Sequence, residues 1–244
     1  MYTLEQITNA YTKILESLDK ATQEVYANTK LPCRKNCALC CIQLFPVSFI
    51  EGYSISMQYR KLDRSTRRKL KKNAERVEKK LRQNDWSSFS IFNAEKKIFY
   101  EKKNCLAETI NQIKIACPLL DESMNCSVYG LRPHDCRVHG CSKDKKSMEV
   151  LGCEKFTFDV ISQPLLHEKL LDQNHLYPEV LKLSELLIQS ITKGEIPEKT
   201  SYFSSMSKPI LLDFTERDWL NFLKEKFSSQ TPKKDSYHLI VEIV

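Results

Sequence analysis

The sequence predicts a mainly α-helical protein, a helical domain wrapped around cysteine-rich metal-binding loops that include a small β-hairpin. Three observations support this fold class. Apolar residues recur three and four positions apart in long runs, which is the spacing of amphipathic helices. The 244 residues include only 5 glycines and 9 prolines, which argues against a turn-rich β-barrel. Nine of the ten cysteines fall in two short blocks, at 33–41 and 117–153.

The first 30 residues predict an N-terminal amphipathic helix, over about 3–27, that packs on the core. Its apolar stripe consists of Leu4, Ile7, Tyr11, Ile14, Leu18, Ala21 and Val25. The stripe is short for a dedicated zipper, so packing within the protein is favoured over a coiled-coil partner.

Residues 31–156 form the predicted cysteine-cluster domain, with a basic helix inserted at 60–84. Ser48 and Glu51 have the spacing of a capping box and predict one helix start, and Ser65 marks a second. Residues 86–103 are predicted to be a linker of weak helical character. Two short apolar runs flank a polar turn at 121–125, which predicts a small hairpin between Cys117 and Cys136.

Residues 157–244 form a predicted C-terminal helical region. Helices are expected over 164–171, 178–192 and 215–227. Pro178 in a first turn and Gly194 after a last turn mark the two ends of the second of these helices. The tail at 237–244 reads as a strand.

The net charge of +7 comes from one segment. The stretch 60–82 holds twelve basic residues against three acids, and the rest of the chain is close to neutral. A solvated charged face is the favoured interpretation of such a helix, and contact with a nucleic acid or another acidic partner is the alternative. Aromatic residues for base stacking lie only at its ends, at Tyr59 and Trp86. The basic residues are Arg60, Lys61, Arg64, Arg67, Arg68, Lys69, Lys71, Lys72, Arg76, Lys79, Lys80 and Arg82.

The thiols are expected to be reduced. The N-terminus shows no basic leader, apolar run or cleavage site, and no stretch of the chain reaches the roughly 18 apolar residues of a membrane span. We therefore expect a cytoplasmic protein without a membrane partner. Clustered cysteines in a reducing compartment are typical of metal sites rather than disulfides.

The first cysteine block has the spacing of a metal-binding turn. Cys37-x-x-Cys40 brings two sulfurs to one metal, while neighbouring backbone N–H groups offset the thiolate charge. The adjacent Cys41 is awkward for the same tetrahedral metal, but it suits a second metal or a second iron of one cluster. Sulfur ligands leave zinc and iron–sulfur clusters both open. Cys105 stands alone on the apolar side of a predicted helix and is interpreted as an inert core residue.

Together the two blocks carry a resemblance to a known family. The sequences CRKNCALCC at 33–41 and CPLLDESMNCSVYGLRPHDCR at 117–137 are followed by a further cysteine. They resemble the CxxCxxCC cysteine-cluster family, described as a zinc- or iron-chelating domain. The match is close over 126–137, whereas Cys33 and Cys37 are separated by three residues instead of two.

The resemblance implies a set of ligands and a role. The implied metal ligands are Cys33, Cys37, Cys40, Cys41, Cys117, Cys126, Cys136 and Cys153, with Cys141 as a substitute for one of them. Arg132 and Arg137 bracket Cys136 and are expected to donate hydrogen bonds to cofactor sulfurs. Members of the family are often described as iron–sulfur oxidoreductases. The expected function is therefore binding of an iron–sulfur cluster, or of Zn²⁺, in a redox or metal-dependent role with an electron-transfer or protein partner.

Two other interpretations stay open at this point. Cys33-x-x-x-Cys37-x-x-Cys40 is the cysteine pattern of radical S-adenosylmethionine enzymes, but the β/α-barrel context and glycine-rich segment of those enzymes are missing. Flagellin-lysine methylating proteins resemble the family distantly, which leaves a protein-modifying enzyme open. The non-enzymatic alternative is a zinc-stabilised binding module that uses the basic helix. His134 and His139 lie near the cluster, either as ligands or proton carriers or as solvated loop residues.

Overall fold

The fold is mainly α-helical, as predicted. The computed structural model describes residues 2–29, 38–42, 44–84, 89–93, 98–101, 114–144, 150–151, 168–212, 216–228 and 233–234. Its helices within these ranges are α1 (Leu4–Thr29), α2 (Phe49–Lys61), α3 (Arg64–Gln83), α4 (His134–Val138), α5 (Tyr177–Thr192), α6 (Ser207–Leu212) and α7 (Glu216–Ser228). Short 3-10 turns lie at Cys40–Ile42 and Tyr129–Leu131.

Two small sheets accompany the helices. The strands are β1 (Pro46–Ser48), β2 (Phe89–Asn93), β3 (Ile98–Glu101), β4 (Ser142–Lys143), β5 (Val150–Leu151), β6 (Leu171–Asp172), β7 (Thr200–Ser205) and β8 (Lys233–Lys234). The larger sheet has the order β1-β7-β2-β3-β8 and is antiparallel throughout, and the smaller has the order β5-β4-β6. The predicted linker of weak helical character at 86–103 is wrong where the structure describes it, because β2 and β3 pair there.

Helix α1 forms as predicted, and its apolar stripe is buried. The helix begins after Thr3, whose hydroxyl accepts a hydrogen bond from the Gln6 backbone N–H at 3.2 Å while the Gln6 side chain accepts one from the Thr3 N–H at 2.9 Å. Ile7, Tyr11 and Leu18 are each at most 2% exposed. They join side chains of α2, α5 and α7 in one hydrophobic core, so α1 packs within its own chain.

An aromatic cluster fixes the start of α2 against the C-terminal elements. The Trp219 ring of α7 meets the Phe49 ring edge-to-face at a centroid distance of 5.0 Å, and the Tyr202 ring of β7 meets the Phe49 ring at 5.6 Å. All three side chains are buried. The first turn of α2, which carries Glu51, is thereby held in place.

The N-terminal ends of α2 and α3 are capped by the polar residues that precede them, Ser48 and Asp63. The predicted capping box of Ser48 and Glu51 is present at the start of α2. Helix α3 begins one residue before the predicted Ser65, because the Asp63 carboxylate accepts hydrogen bonds from the N–H groups of Ser65 at 2.9 Å and Thr66 at 3.0 Å.

The C-terminal predictions hold in part. Helices α5 and α7 match the predicted helices at 178–192 and 215–227 to within one residue at each end, and Gly194 follows α5 with a positive φ of 79°. Residues 168–172 form a turn and strand β6, so the predicted helix over 164–171 does not extend through its last residues. The predicted tail strand at 237–244 lies outside the described residues. Within the described part of the chain, no helix combines the length and the apolar character needed to cross a bilayer.

Candidate metal centre

Five of the eight predicted cysteine ligands are described by the structure: Cys40, Cys41, Cys117, Cys126 and Cys136. Four of them belong to one hydrophobic cluster, the thiol core, which contains Cys117 and has Cys41, Cys126 and Cys136 packed against its buried side chains, and Cys40 is adjacent to Cys41 in the chain. Other members come from α2, α3, α6 and the 117–128 segment. Cys33, Cys37, Cys153 and the non-ligand Cys105 lie outside the described residues.

The two cysteine blocks meet through a backbone hydrogen bond. The 3-10 turn that carries Cys40 and Cys41 is closed by the Cys41 N–H, which donates to the Ala38 carbonyl at 2.9 Å. The Cys41 carbonyl then accepts a hydrogen bond from the Cys117 N–H at 2.6 Å. Segments 76 residues apart in sequence are therefore directly joined at their cysteines.

The predicted hairpin is confirmed around Cys117 and Cys126. Leu120 and Cys126 form an antiparallel bridge, and the Ser127 N–H donates to the Leu119 carbonyl at 2.9 Å. The Asp121 carboxylate closes the turn by accepting hydrogen bonds from the N–H groups of Ser123 and Asn125. This turn brings Cys126 back alongside the segment that follows Cys117.

The thiols of the two blocks interact electrostatically. Burial is the main cause that raises the pKa of Cys117, to about 12, and that of Cys126 and Cys136. Repulsion from the Cys40 thiolate raises all three further. A hydrogen bond from the Cys41 thiol lowers the pKa of Cys40 to about 7 and raises that of Cys41. Thiols of the two blocks are therefore close enough to affect each other's ionisation.

Backbone hydrogen bonding acts on the ionisation of two of these thiols. The N–H of Leu119 lowers the pKa of Cys117 and the N–H of Val128 lowers that of Cys126, in both cases against the larger effect of burial. Each N–H belongs to the residue two positions after its cysteine. Hydrogen bonds from N–H groups to sulfur offset the negative charge of metal-bound thiolates and tune the metal.

Helix α4 positions Cys136 and is tied to α2 through Glu51. The Glu51 carboxylate is 2% exposed. One of its oxygens accepts the N–H and hydroxyl of Ser48, both at 2.7 Å, and the other accepts the His134 N–H at 2.7 Å. Burial raises the pKa of Glu51, as does the Asp135 carboxylate. One buried carboxylate therefore caps the first turns of both helices.

Two of the Arg137 side-chain donors bind backbone carbonyls of the loop between Cys126 and Cys136 instead of the cysteine sulfurs. Its Nε donates to the Arg132 carbonyl at 2.8 Å and its Nη2 to the Gly130 carbonyl at 2.7 Å, and it is ion-paired with Asp19 of α1. The Arg137 side chain is fully buried. It thereby fixes the course of the chain between Cys126 and Cys136 and attaches it to α1.

Arg132 acts on the cysteines through its charge, which is closer to the expected interaction with cofactor sulfurs. Its guanidinium stacks over the Tyr129 ring at 3.7 Å and its Nε donates to the Tyr129 carbonyl at 3.1 Å. Its charge also lowers the pKa of Cys40 and Cys126, although the hydrogen bond from Cys41 acts more strongly on Cys40 and burial acts more strongly on Cys126. Arg132 supplies positive charge to thiolates of both blocks.

His134, His139 and Cys141 are the remaining candidate groups named from the sequence, and each of them contacts other residues. The buried ring of His134 places Nε2 2.8 Å from the His175 carbonyl and Nδ1 3.2 Å from Asp135, which contradicts a solvated loop position. His139 packs against Phe45 at a centroid distance of 5.1 Å, and burial lowers its pKa. Cys141 is fully buried, and its thiol donates to the Val138 carbonyl at 3.3 Å.

The described ranges contain no group of three or more His, Cys, Asp or Glu side chains arranged to hold a metal ion. No family model, curated protein or solved structure matches this chain. The resemblance to the cysteine-cluster family stays a prediction. Glu51 and Asp19 were missed as site residues, although the Ser48–Glu51 spacing marked Glu51 as a capping residue.

We predict that Glu51→Ala destabilises the fold by about 2–4 kcal/mol, because the N–H groups of His134 and Ser48 lose their buried acceptor. Asp63→Ala, at the exposed cap of α3, is the matched control and should cost less. Urea unfolding of the two variants gives the comparison. Equal losses would contradict a special role for the buried cap.

We predict that Arg137→Lys lowers stability by about 1–3 kcal/mol, since an ammonium does not reproduce the two fixed donors to Gly130 and Arg132. Arg132→Lys should cost less, because that side chain is 23% exposed and lies at the edge of the loop. Thermal unfolding of both variants tests this order, and the reverse order would rule out the loop-binding role of Arg137.

Proposed function

We propose that this protein binds a metal centre through thiolates of both cysteine blocks, an iron–sulfur cluster in the first instance and Zn²⁺ as the alternative. The observation that carries the proposal is the meeting of Cys41 with Cys117, Cys126 and Cys136, from segments far apart in sequence, in one partly buried core, with Cys40 next to Cys41 in the chain. Soft thiolate sets of this kind suit zinc and iron–sulfur clusters.

The electrostatics of the thiol core support a bound cation. Each of Cys117, Cys126 and Cys136 has its pKa raised by burial and by repulsion from Cys40. Ionising several of them together without positive charge nearby is costly. A metal supplies that charge, because it binds the thiolate form and releases the protons.

The residues around the thiol core would suit a bound metal ion or iron–sulfur cluster. The N–H groups of Leu119 and Val128 lower the pKa of Cys117 and Cys126, and the Arg132 charge acts on Cys40 and Cys126. Cys33, Cys37 and Cys153 complete the proposed set of eight. A bound iron–sulfur cluster would supply one-electron transfer, and bound zinc would supply structural stabilisation.

We predict that Cys40→Ser and Cys136→Ser each lose metal and lower the melting temperature, because metal-binding energy is partly folding energy. Anaerobic purification, metal analysis and the visible absorption spectrum measure the loss. Iron with inorganic sulfide identifies a cluster, and zinc without colour identifies the alternative.

Cys105→Ser is the matched control. Cys105 is outside the proposed set of eight ligands and its sequence context predicts an inert core residue, so this variant should keep its metal. Metal content and melting temperature that stay at the wild-type values in both the Cys40 and Cys136 variants would refute the proposal.

A further inference from the structure

The outer face of α3 carries a regular row of cations. Positions four apart along the helix are all basic, and all five of these side chains are exposed: Arg64, Arg68, Lys72, Arg76 and Lys80. We call these residues the basic stripe. Each step of four residues advances about 6 Å along the axis and about 40° around it, so the stripe is about 24 Å long and covers nearly half of the helix circumference.

The stripe lies opposite the face by which α3 is anchored. Leu70 and Ala74 are buried in the thiol core, and Val77 and Leu81 are buried further along the helix. Asn73 adds a hydrogen bond to the Leu120 carbonyl at 3.4 Å. The orientation of the stripe is thus fixed by a packed core, and α3 exposes none of its large apolar side chains.

Two of the three acids at α3 are committed elsewhere, and the third, Glu75, is exposed beside the stripe. The Asp63 carboxylate caps the helix, and Glu78 is buried beneath hydroxyl donors from Ser205 and Ser207. Glu122 of the cysteine hairpin pairs with Lys69, which is outside the stripe. Within the part of the chain that the structure describes, none of the five stripe cations forms an ion pair.

This arrangement has an energetic cost that a merely solvated face would avoid. Like charges four residues apart destabilise a helix, and the stripe contains four such pairs in succession. A helix whose outer face served only solubility would gain by alternating acids with bases at this spacing. A row of phosphates on a partner would turn the repulsion into attraction.

The geometry points to double-stranded nucleic acid bound through its phosphodiester backbone, and this inference does not depend on the metal proposal. An evenly charged polymer such as the phosphodiester backbone of a duplex matches an evenly spaced row of cations. Single strands are held by stacking on aromatic rings, and α3 has none. An interfacial membrane helix needs an exposed apolar face, which α3 also lacks.

A surface depression beside the stripe provides room for a backbone. Its described lining comes from α3 alone and includes Arg64, Arg68 and Lys72 of the stripe together with Lys69, Lys71 and Glu75. The depression is open to solvent and has a volume of about 910 Å³. Contacts of this kind read charge and shape rather than base sequence, so we expect binding without sequence preference.

The test is fluorescence anisotropy of the full chain with labelled duplex DNA and duplex RNA of arbitrary sequence over a series of salt concentrations. The triple variant Arg68→Gln, Lys72→Gln, Arg76→Gln should weaken binding at low salt. It should also make the slope of log K against log salt shallower by about 3, because about 0.9 is lost per phosphate contact on DNA. The two duplexes identify which nucleic acid is preferred, and binding of either supports the inference.

The charge-matched control is Lys13→Gln, Lys20→Gln, Lys182→Gln, three exposed lysines on α1 and α5. It removes the same net charge and should keep the wild-type slope. Circular dichroism establishes that both triple variants fold. The inference is overturned by equal effects of the two variants, by no duplex binding at low salt, or by binding only to phosphatidylserine vesicles. Both triple variants retain all ten cysteines, so a difference between them reports on the stripe and not on metal binding.

Discussion

Burying several thiols side by side is the constraint on which the rest of the structure depends. Each thiolate that forms in the thiol core raises the pKa of its neighbours, and burial already raises those of Cys117, Cys126 and Cys136. The backbone hydrogen bond between Cys117 and Cys41 and the shared hydrophobic cluster make the grouping a built feature of the fold. They support the proposed metal centre.

Two buried charged side chains hold the second cysteine block in position. Glu51 joins the starts of α2 and α4, and Arg137 binds the carbonyls of the loop that leads from Cys126 to Cys136. Asp19 then ties Arg137 to α1. The motif that suggested a family resemblance therefore has a physical explanation in this chain. Its last arginine organises the backbone on which the cysteines are placed, whereas Arg132 acts on the thiolates through its charge.

The parts predictable from sequence are those encoded by local spacing. The stripe of α1, the Ser48–Glu51 box, the turn at 121–125 and the Pro178 and Gly194 limits of α5 each depend on residues a few positions apart. The larger sheet was not predictable in this way, because β7 pairs with β1 and β2 from segments more than 100 residues away. The ion pair of Arg137 with Asp19 was not predictable for the same reason, because the two residues are distant in sequence.

The thiol core and the basic stripe are the two sides of one piece of structure. Leu70 and Ala74 of α3 pack in the same cluster as Cys117, Leu119 and Leu120, so the inner face of the helix rests on the cysteine hairpin. Repulsion among the stripe cations on the outer face destabilises α3, and packing of its inner face against the thiol core has to offset this free-energy cost. A metal that orders the hairpin would therefore also strengthen the support of the stripe. Linkage then requires the reverse effect, because phosphates that relieve the repulsion on α3 would stabilise the packed hairpin and hence the metal-binding state.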